Sequence, residues 1–355
     1  MDVYSTGSLF IWLLQIFVLE TCMLFLAQGT PSIERRMAHS WQSPETAKFC
    51  RSHTWFTKRQ LKLCHLHPDL IGSVTQGAMA GIFECRYQFR SHRWNCPISN
   101  VTAVFGKNKL RTRNVEMAFL QSMVSAGIMY EITKACGTGT ILECGCDRHF
   151  GEDNPDVEWK WGGCSDNVRY GTHFTRMFID ESKKKKTAAD MMSLHNYEAG
   201  RKAIERNMFI KCKCHGVSGS CTSKVCWNSM PKLREVSTNL KKSYLHAFHM
   251  MYSKRSMKLR PIQERNTNPS KSDMVYLTLS PDYCEPNKRH GSLGTHGRRC
   301  NKTSIGVNGC PLMCCGRGYQ TMLRHVTESC RCRFQWCCEV ECETCERKEE
   351  LHVCN

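Results

Sequence analysis

Cysteine spacing constrains this chain more than any other feature. The 355 residues include 25 cysteines, and they are clustered. Apart from Cys22, eight lie between Cys50 and Cys164, four between Cys212 and Cys226, and twelve between Cys284 and Cys354. So many thiols suit an oxidising compartment, where they become staples, better than a reducing one, where they would have to hold metal. The N-terminus agrees. Leu9 to Leu19 is an apolar run, a second patch MLFLA follows Cys22, and Ala27-Gln28-Gly29 is small at both ends, as signal peptidase requires. Residues 1–29 are expected to be a cleaved signal peptide, despite Asp2 in a leader segment without Lys or Arg. An uncleaved anchor over 9–27 is the alternative, but Gln15 and Glu20 interrupt it and it is short for a span. Cleavage removes Cys22 and leaves 25 − 1 = 24 cysteines, an even number, as full pairing needs.

Composition narrows the class further. The formal charge is +18, with 41% hydrophobic and 23% charged residues. That excludes a collagen, a long coiled coil and an acidic disordered tail, and argues for folded chain. The cysteine clusters divide it into a helical N-terminal domain (30–252), a cysteine-free linker (253–283) and a cysteine-rich C-terminal domain (284–355). The fold class expected is α+β and disulfide-rich.

The first half carries helical periodicity. After Pro68, the residues Leu70, Val74, Ala78, Gly81, Cys85 and Phe89 recur at steps of three or four. Val115, Phe119, Ser122, Ala126, Met129, Thr133 and Cys136 make a second stripe. Further helices are expected over 166–181 and 188–208. Gly77 and Gly81 have the GxxxG spacing, read here as close packing of soluble helices because Glu84 and Arg86 follow directly. Lys183 to Lys186 reads as a solvated loop or a polyanion contact.

Past Cys284, Gly, Pro and Cys interrupt the chain every few residues, so disulfides must stand in for a core. Within it, Arg331 to Trp336 and Cys338 to Glu343 alternate with period two on both sides of a tip. Placing Cys332 opposite Cys342 sets Phe334 against Val340, Arg331 against Glu343 and Arg333 against Glu341, a hairpin over 331–343. Cys337 and Cys338 occupy the tip; consecutive Cα atoms are about 3.8 Å apart, so a bond between them would be strained, and each could pair elsewhere instead. Ser253 to Ser272 is polar, holds Pro261 and Pro269, and has six basic residues against one acidic, which suits an exposed flexible connector or docking strip.

Residues 211–227 read KCKCHGVSGSCTSKVCW. Nested pairing of Cys212 with Cys226 and Cys214 with Cys221 would close a small loop with His215 to Ser220 at its tip. An esterase elbow needs Gly-x-Ser-x-Gly, and here Ser220 stands two residues after Ser218. A zinc site on Cys212, Cys214 and His215 lacks the usual Cys-x2-Cys spacing. A disulfide-held loop presenting serine for modification or binding is the reading left. No metal site and no catalytic residue is expected.

The run CKCHGVSGSC resembles the central signature of the Wnt family of secreted, lipid-modified signalling glycoproteins. ECRYQFRSHRWNCP (84–97), ECGCDR (143–148), WGGCSDN (161–167), HNYEAGRKAI (195–204), and CNKTS followed by GCPLMCCGRGY (300–319) support the resemblance along nearly the whole mature chain. The subfamily usually numbered fourth looks nearest. Tyr197 departs from the Asn common in the family, and the linker has no recognisable pattern.

The resemblance implies a helical N-terminal domain whose Ser-bearing hairpin (211–227) acts as a thumb, and a small cystine-knot-like C-terminal domain of β-hairpins whose hairpin at 331–343 acts as a finger. It implies that a membrane-bound acyltransferase esterifies Ser218 with a monounsaturated fatty acid, with no other cofactor. Thumb and finger would pinch the cysteine-rich domain of a Frizzled receptor through Val217, Ser218, Phe334, Trp336, the Cys337 and Cys338 pair, and Val340. The family pairing suggests Cys85–Cys96, Cys136–Cys144, Cys146–Cys164, Cys284–Cys315, Cys300–Cys310, Cys314–Cys354, Cys330–Cys345 and Cys332–Cys342, and leaves Cys50 for Cys64.

An acyl chain makes the free ligand insoluble, which implies a carrier during secretion. A low-density-lipoprotein-receptor-related co-receptor is implied as well, and the positive charge adds attraction for heparan sulfate proteoglycans in the extracellular space and matrix. No nucleic-acid partner is expected. Asn100-Val101-Thr102 and Asn301-Lys302-Thr303 are glycosylation sequons, whereas Pro269 blocks Asn268. Two rival functions remain: a secreted, disulfide-rich, heparin-binding matrix protein, and a metal-binding nuclear regulator, which would need free thiolates.

Overall fold

The structure, a computed structural model, describes residues 44–105, 112–148, 159–180, 187–217, 220–262 and 268–355. Residues 1–29, expected to be a signal peptide, together with Lys183 to Lys186 and Ser218, lie outside the described residues. The chain divides into two compact units, Met1–Pro68 and Asp69–Asn355.

In the first unit, helices α1 (Pro44–Ser52) and α2 (Lys58–Leu66) are joined by Cys50–Cys64. Thr57 and Gln60 form a reciprocal capping box that starts α2.

Helix α3 (Pro68–Gln88) leads into the second unit, which is built around α4 (Val115–Gly137). The sequence predicts one apolar stripe on α4, but the helix is buried on nearly every face. Its polar positions are used for close approach. Ser122 and Ser125 donate hydrogen bonds to the carbonyls of Asn196 and Tyr197. A Cβ at Gly81 would lie 2.5 Å from the Met123 carbonyl oxygen, and Gly77 and Gly127 leave no more room. The Gly77–Gly81 spacing therefore serves backbone contact between two soluble helices.

Asn114 caps α4, accepting from the Met117 amide and donating to the Tyr283 hydroxyl at 2.7 Å. Because it is buried and holds both ends of this link, Asn114→Ala is expected to destabilise the fold by about 1–3 kcal/mol. The guanidinium chloride midpoint reads this directly.

Helix α5 (Val168–Thr175) widens into a π-helical turn at Arg176–Asp180, so the element expected over 166–181 is regular for only part of its length. Arg201 on α6 (Ala188–Glu205) is buried and donates to Asp180 and Glu198, which spares it from being an uncompensated charge in the interior. Helix α7 (Leu233–Leu245) buries Val236, Ser237 and Leu240.

The strands make small sheets: β1 (Lys160–Trp161), β2 (Phe209–His215) and β3 (Ser223–Ser229) in order β1-β3-β2; β4 (Phe248–Ser253), β5 (Lys258–Pro261) and β6 (Val275–Tyr276) in order β5-β4-β6; and the pair β7 (Pro286–Asn287) and β8 (Ser292–Leu293). The middle sheet corrects the expectation of a flexible connector. Ser253 to Pro261 completes a hairpin, Val275 pairs with Phe248, and Met274 and Val275 are buried. Polar composition and prolines fit an exposed hairpin as well as they fit a loop, which is why composition alone did not separate the two.

In the cysteine-rich part, β9 (Arg299–Cys300), the short helix α8 (Cys310–Met313), β10 (Tyr319–Gln335) and β11 (Glu339–Cys354) surround a core of Cys310, Met313, Cys314 and Cys354, with Cys300 and Tyr319 packed on it. This core is largely cystine.

Candidate functional site

The thumb is the β2/β3 hairpin. Its register places Cys212 directly opposite Cys226, and the two are bonded; Cys214–Cys221 closes the loop above. With both cysteines oxidised, the thiolates that a zinc site would need are gone. The tip folds back on itself: the Ser220 amide donates to the Val217 carbonyl, the Thr222 hydroxyl donates to the His215 carbonyl, and a Cβ at Gly216 would strike Ser220. Val217 stands out from the surface, 87% exposed. Ser218 itself lies outside the described residues.

What braces the thumb at its base was not visible from its own sequence. Residues 160–167 run alongside β3: Lys160 and Trp161 pair with Val225 and Cys226, the Gly162 amide donates to the Cys226 carbonyl, and the Asp166 carboxylate accepts from the Met230 amide at 2.7 Å. Gly163, at φ +71°, brings its backbone against the Trp227 ring, 3.3 Å from where a Cβ would be. Cys146–Cys164 ties this segment down. The glycine pair in WGGC was the available signal, since adjacent glycines mark close backbone approach.

The finger is the β10/β11 ribbon. Phe334 faces Val340 and Arg333 faces Glu341, as the alternation implies, and Arg331 pairs with Glu343 at 3.3 Å. The ribbon is longer than the hairpin read from sequence, running from Tyr319 to Cys354. Below Arg333 the register slips by one at a bulge, where Arg331 takes φ +46° and Cys330 faces Glu343. At the far end Trp336 is 94% exposed, Phe334 70% and Val340 59%. No core surrounds them.

Eleven disulfides join described cysteines, and every one belongs to the set that the resemblance implies or the thumb pairing predicts. The expected bond between Cys337 and Cys338 is not formed. Both thiols are free and exposed, at φ +85° and +79° across a trans peptide. Adjacent Cα atoms on a trans peptide lie closer than a relaxed disulfide allows, which opposes that bond.

Both sequon asparagines are exposed. The Thr102 hydroxyl donates to Asn100 Oδ1 at 2.6 Å, and the Thr303 hydroxyl donates to Asn301 Oδ1 at 2.9 Å. Each threonine is thus already engaged with the amide that would carry the glycan.

Thumb and finger each present apolar side chains that the fold does not cover. Uncovered apolar surface of this kind suits contact with another molecule. Comparison with known proteins places it. The family model described as wnt family matches residues 52–355. Protein Wnt-5b of Xenopus laevis is 42% identical over 313 residues, 86% of this chain and 86% of that protein. A chain in the solved structure of human WLS in complex with WNT8A superposes with a TM-score of 0.57 at 36% identity, covering 80% of this chain and 93% of that one. The chain belongs to the Wnt family, whose members are secreted signalling ligands and not enzymes.

Proposed function

We propose that this ligand acts by gripping the cysteine-rich domain of a Frizzled-type receptor between an acylated thumb, with the lipid on Ser218, and an apolar fingertip of Phe334, Trp336 and Val340. The observation that carries this reading is the fingertip: three large apolar side chains, far more exposed than folding alone would leave them, on a ribbon fastened by Cys330–Cys345 and Cys332–Cys342. A rigid arm that ends in aromatic surface is suited to burying that surface in a partner.

The other partners follow from the same chemistry. Acylation of Ser218 requires a membrane acyltransferase, and the acylated chain requires a carrier; WLS, solved with a relative, is the carrier to test. Exposed cations spread over a +18 chain favour retention by heparan sulfate in the matrix. We assign glycans to Asn100 and Asn301. The domain limits at 30–252, 253–283 and 284–355 remain a functional division: grip at both ends, co-receptor recruitment between.

That division is testable at the β4–β5 hairpin, where Lys254, Arg255, Lys258 and Arg260 are all exposed. Reversing the four to Glu is expected to leave affinity for an isolated Frizzled cysteine-rich domain unchanged while reducing capture of the low-density-lipoprotein-receptor-related co-receptor. Binding titrations with each purified ectodomain measure the two separately. Loss of Frizzled binding by this variant would place the grip on the middle sheet instead.

A further inference from the structure

Nothing in the grip proposed above calls on the charge of the thumb. Between Glu205 and Glu235 the chain has no Asp or Glu, while Lys211, Lys213 and Lys224 lie on the hairpin strands and are all exposed. The carboxylate that braces the hairpin, Asp166, sits at its base, accepting from the Ser229 hydroxyl and the Met230 amide. The stem above it is purely cationic.

The heights of these lysines follow from the register. The last pair of the ladder is His215 with Ser223. Lys224 lies one residue below that pair, Lys213 two and Lys211 four, which at about 3.4 Å per residue is roughly 3, 7 and 14 Å. Because side chains alternate across a strand, Lys211 and Lys213 share one face of the hairpin and Lys224 occupies the other. The cations therefore collar the stem. Beyond them, Gly216 to Ser223 holds no charged residue, and Val217 projects into solvent. Cys212–Cys226 and Cys214–Cys221 fix the arrangement.

An uncharged tip above a cationic collar matches the layering of a bilayer surface, where a headgroup layer of roughly 5–7 Å covers the apolar core. Lys213 and Lys224 stand within about that distance of the top of the ladder, and Lys211 is within about one screening length of the headgroups. A linear sulfated glycan is served best by cations along one face; cations on both faces suit a surface entered end on. A single acyl chain gives only marginal membrane attachment, which a cationic patch beside it makes stable.

We propose that the thumb docks tip first on an anionic phospholipid surface, its uncharged tip entering the headgroup layer and Lys211, Lys213 and Lys224 meeting lipid anions around the stem. This deepens the acylated-thumb reading and rests on it for the chain that anchors the tip, while the lysine contribution is measured separately.

Flotation of the full secreted chain with lipid vesicles tests the proposal, because it separates bound protein from aggregate. Vesicles of phosphatidylcholine alone are compared with vesicles holding about a third phosphatidylserine, at low ionic strength. The anionic vesicles are expected to bind about tenfold more tightly or better, and about 0.5 M salt should remove that gain while leaving affinity for the neutral vesicles in place. Lys211→Gln, Lys213→Gln and Lys224→Gln together should abolish the gain. Lys271→Gln, Lys288→Gln and Arg289→Gln, which neutralise three exposed cations elsewhere, should keep it. Thermal midpoints confirm that both variants fold. Equal affinity for the two kinds of vesicle, or equal loss from the two variants, overturns the proposal. So does a thumb variant that keeps the anionic gain but loses retention on heparin, which would give the collar to a sulfated glycan. Intact mass of the same sample reads the acyl ester: its absence would sink the acylation, while the contrast between vesicles still reads the lysines.

Discussion

Ser218→Ala is expected to abolish acylation and, with it, nearly all secretion and signalling, while the eleven disulfides still form. In the proposed reading the hydroxyl is the attachment point, and Val217 and Ser220 on either side of it are exposed on a loop held by Cys214–Cys221, so little packing is expected to be lost. Burying about a dozen methylenes at roughly 0.8 kcal/mol each would contribute on the order of 10 kcal/mol gross, so in the proposed grip the lipid would dominate receptor affinity while the protein aims it. Ser220→Ala is the internal control, and it should matter much less. Intact-mass measurement of the secreted protein detects the acyl ester; equal loss from both substitutions, or undiminished signalling by Ser218→Ala, would move the acyl site.

Trp336→Ala is expected to weaken binding to a soluble Frizzled cysteine-rich domain by about 2 kcal/mol or more, roughly thirtyfold, with folding almost unaffected. Both halves of that statement come from its 94% exposure. A side chain with nothing packed around it contributes little to stability, yet it has nearly its whole surface to offer a partner. A surface titration reads the affinity and a thermal melt reads the fold. Unchanged affinity would put the contact surface elsewhere.

Much of this arrangement was legible in the chain, for reasons that differ from place to place. The thumb could be read because nested cysteines in a short segment leave few ways to close it, and the register observed, Cys212 opposite Cys226, is the one nesting requires. The fingertip could be read because charge and apolar residues alternate from Arg331 to Glu343. The lower ribbon could not. Neither face from Tyr319 to Ser329 is buried continuously, so no period of two is written there, and the bulge at Arg331 is a backbone event without a side-chain signature. The α4 helix misled in the opposite direction, since a helix packed on nearly all sides needs no polar face, and Ser122 and Ser125 fit its interior by bonding to the next helix's carbonyls. The middle sheet stayed hidden because its strands are only two to six residues long and paired across a gap in sequence.

The finger ribbon has a calorimetric consequence. Unfolding heat capacity comes mainly from hydrating apolar surface that folding had removed from water. From Gln320 to Glu349 the two strands keep almost every side chain in solvent, so losing their order would bury or expose little apolar surface and add little to the heat-capacity step. Warming is a weak lever on such an element. Its integrity answers to the reducing potential around Cys330–Cys345 and Cys332–Cys342, so a melting scan that looks native can come from molecules whose finger has already come apart in reductant.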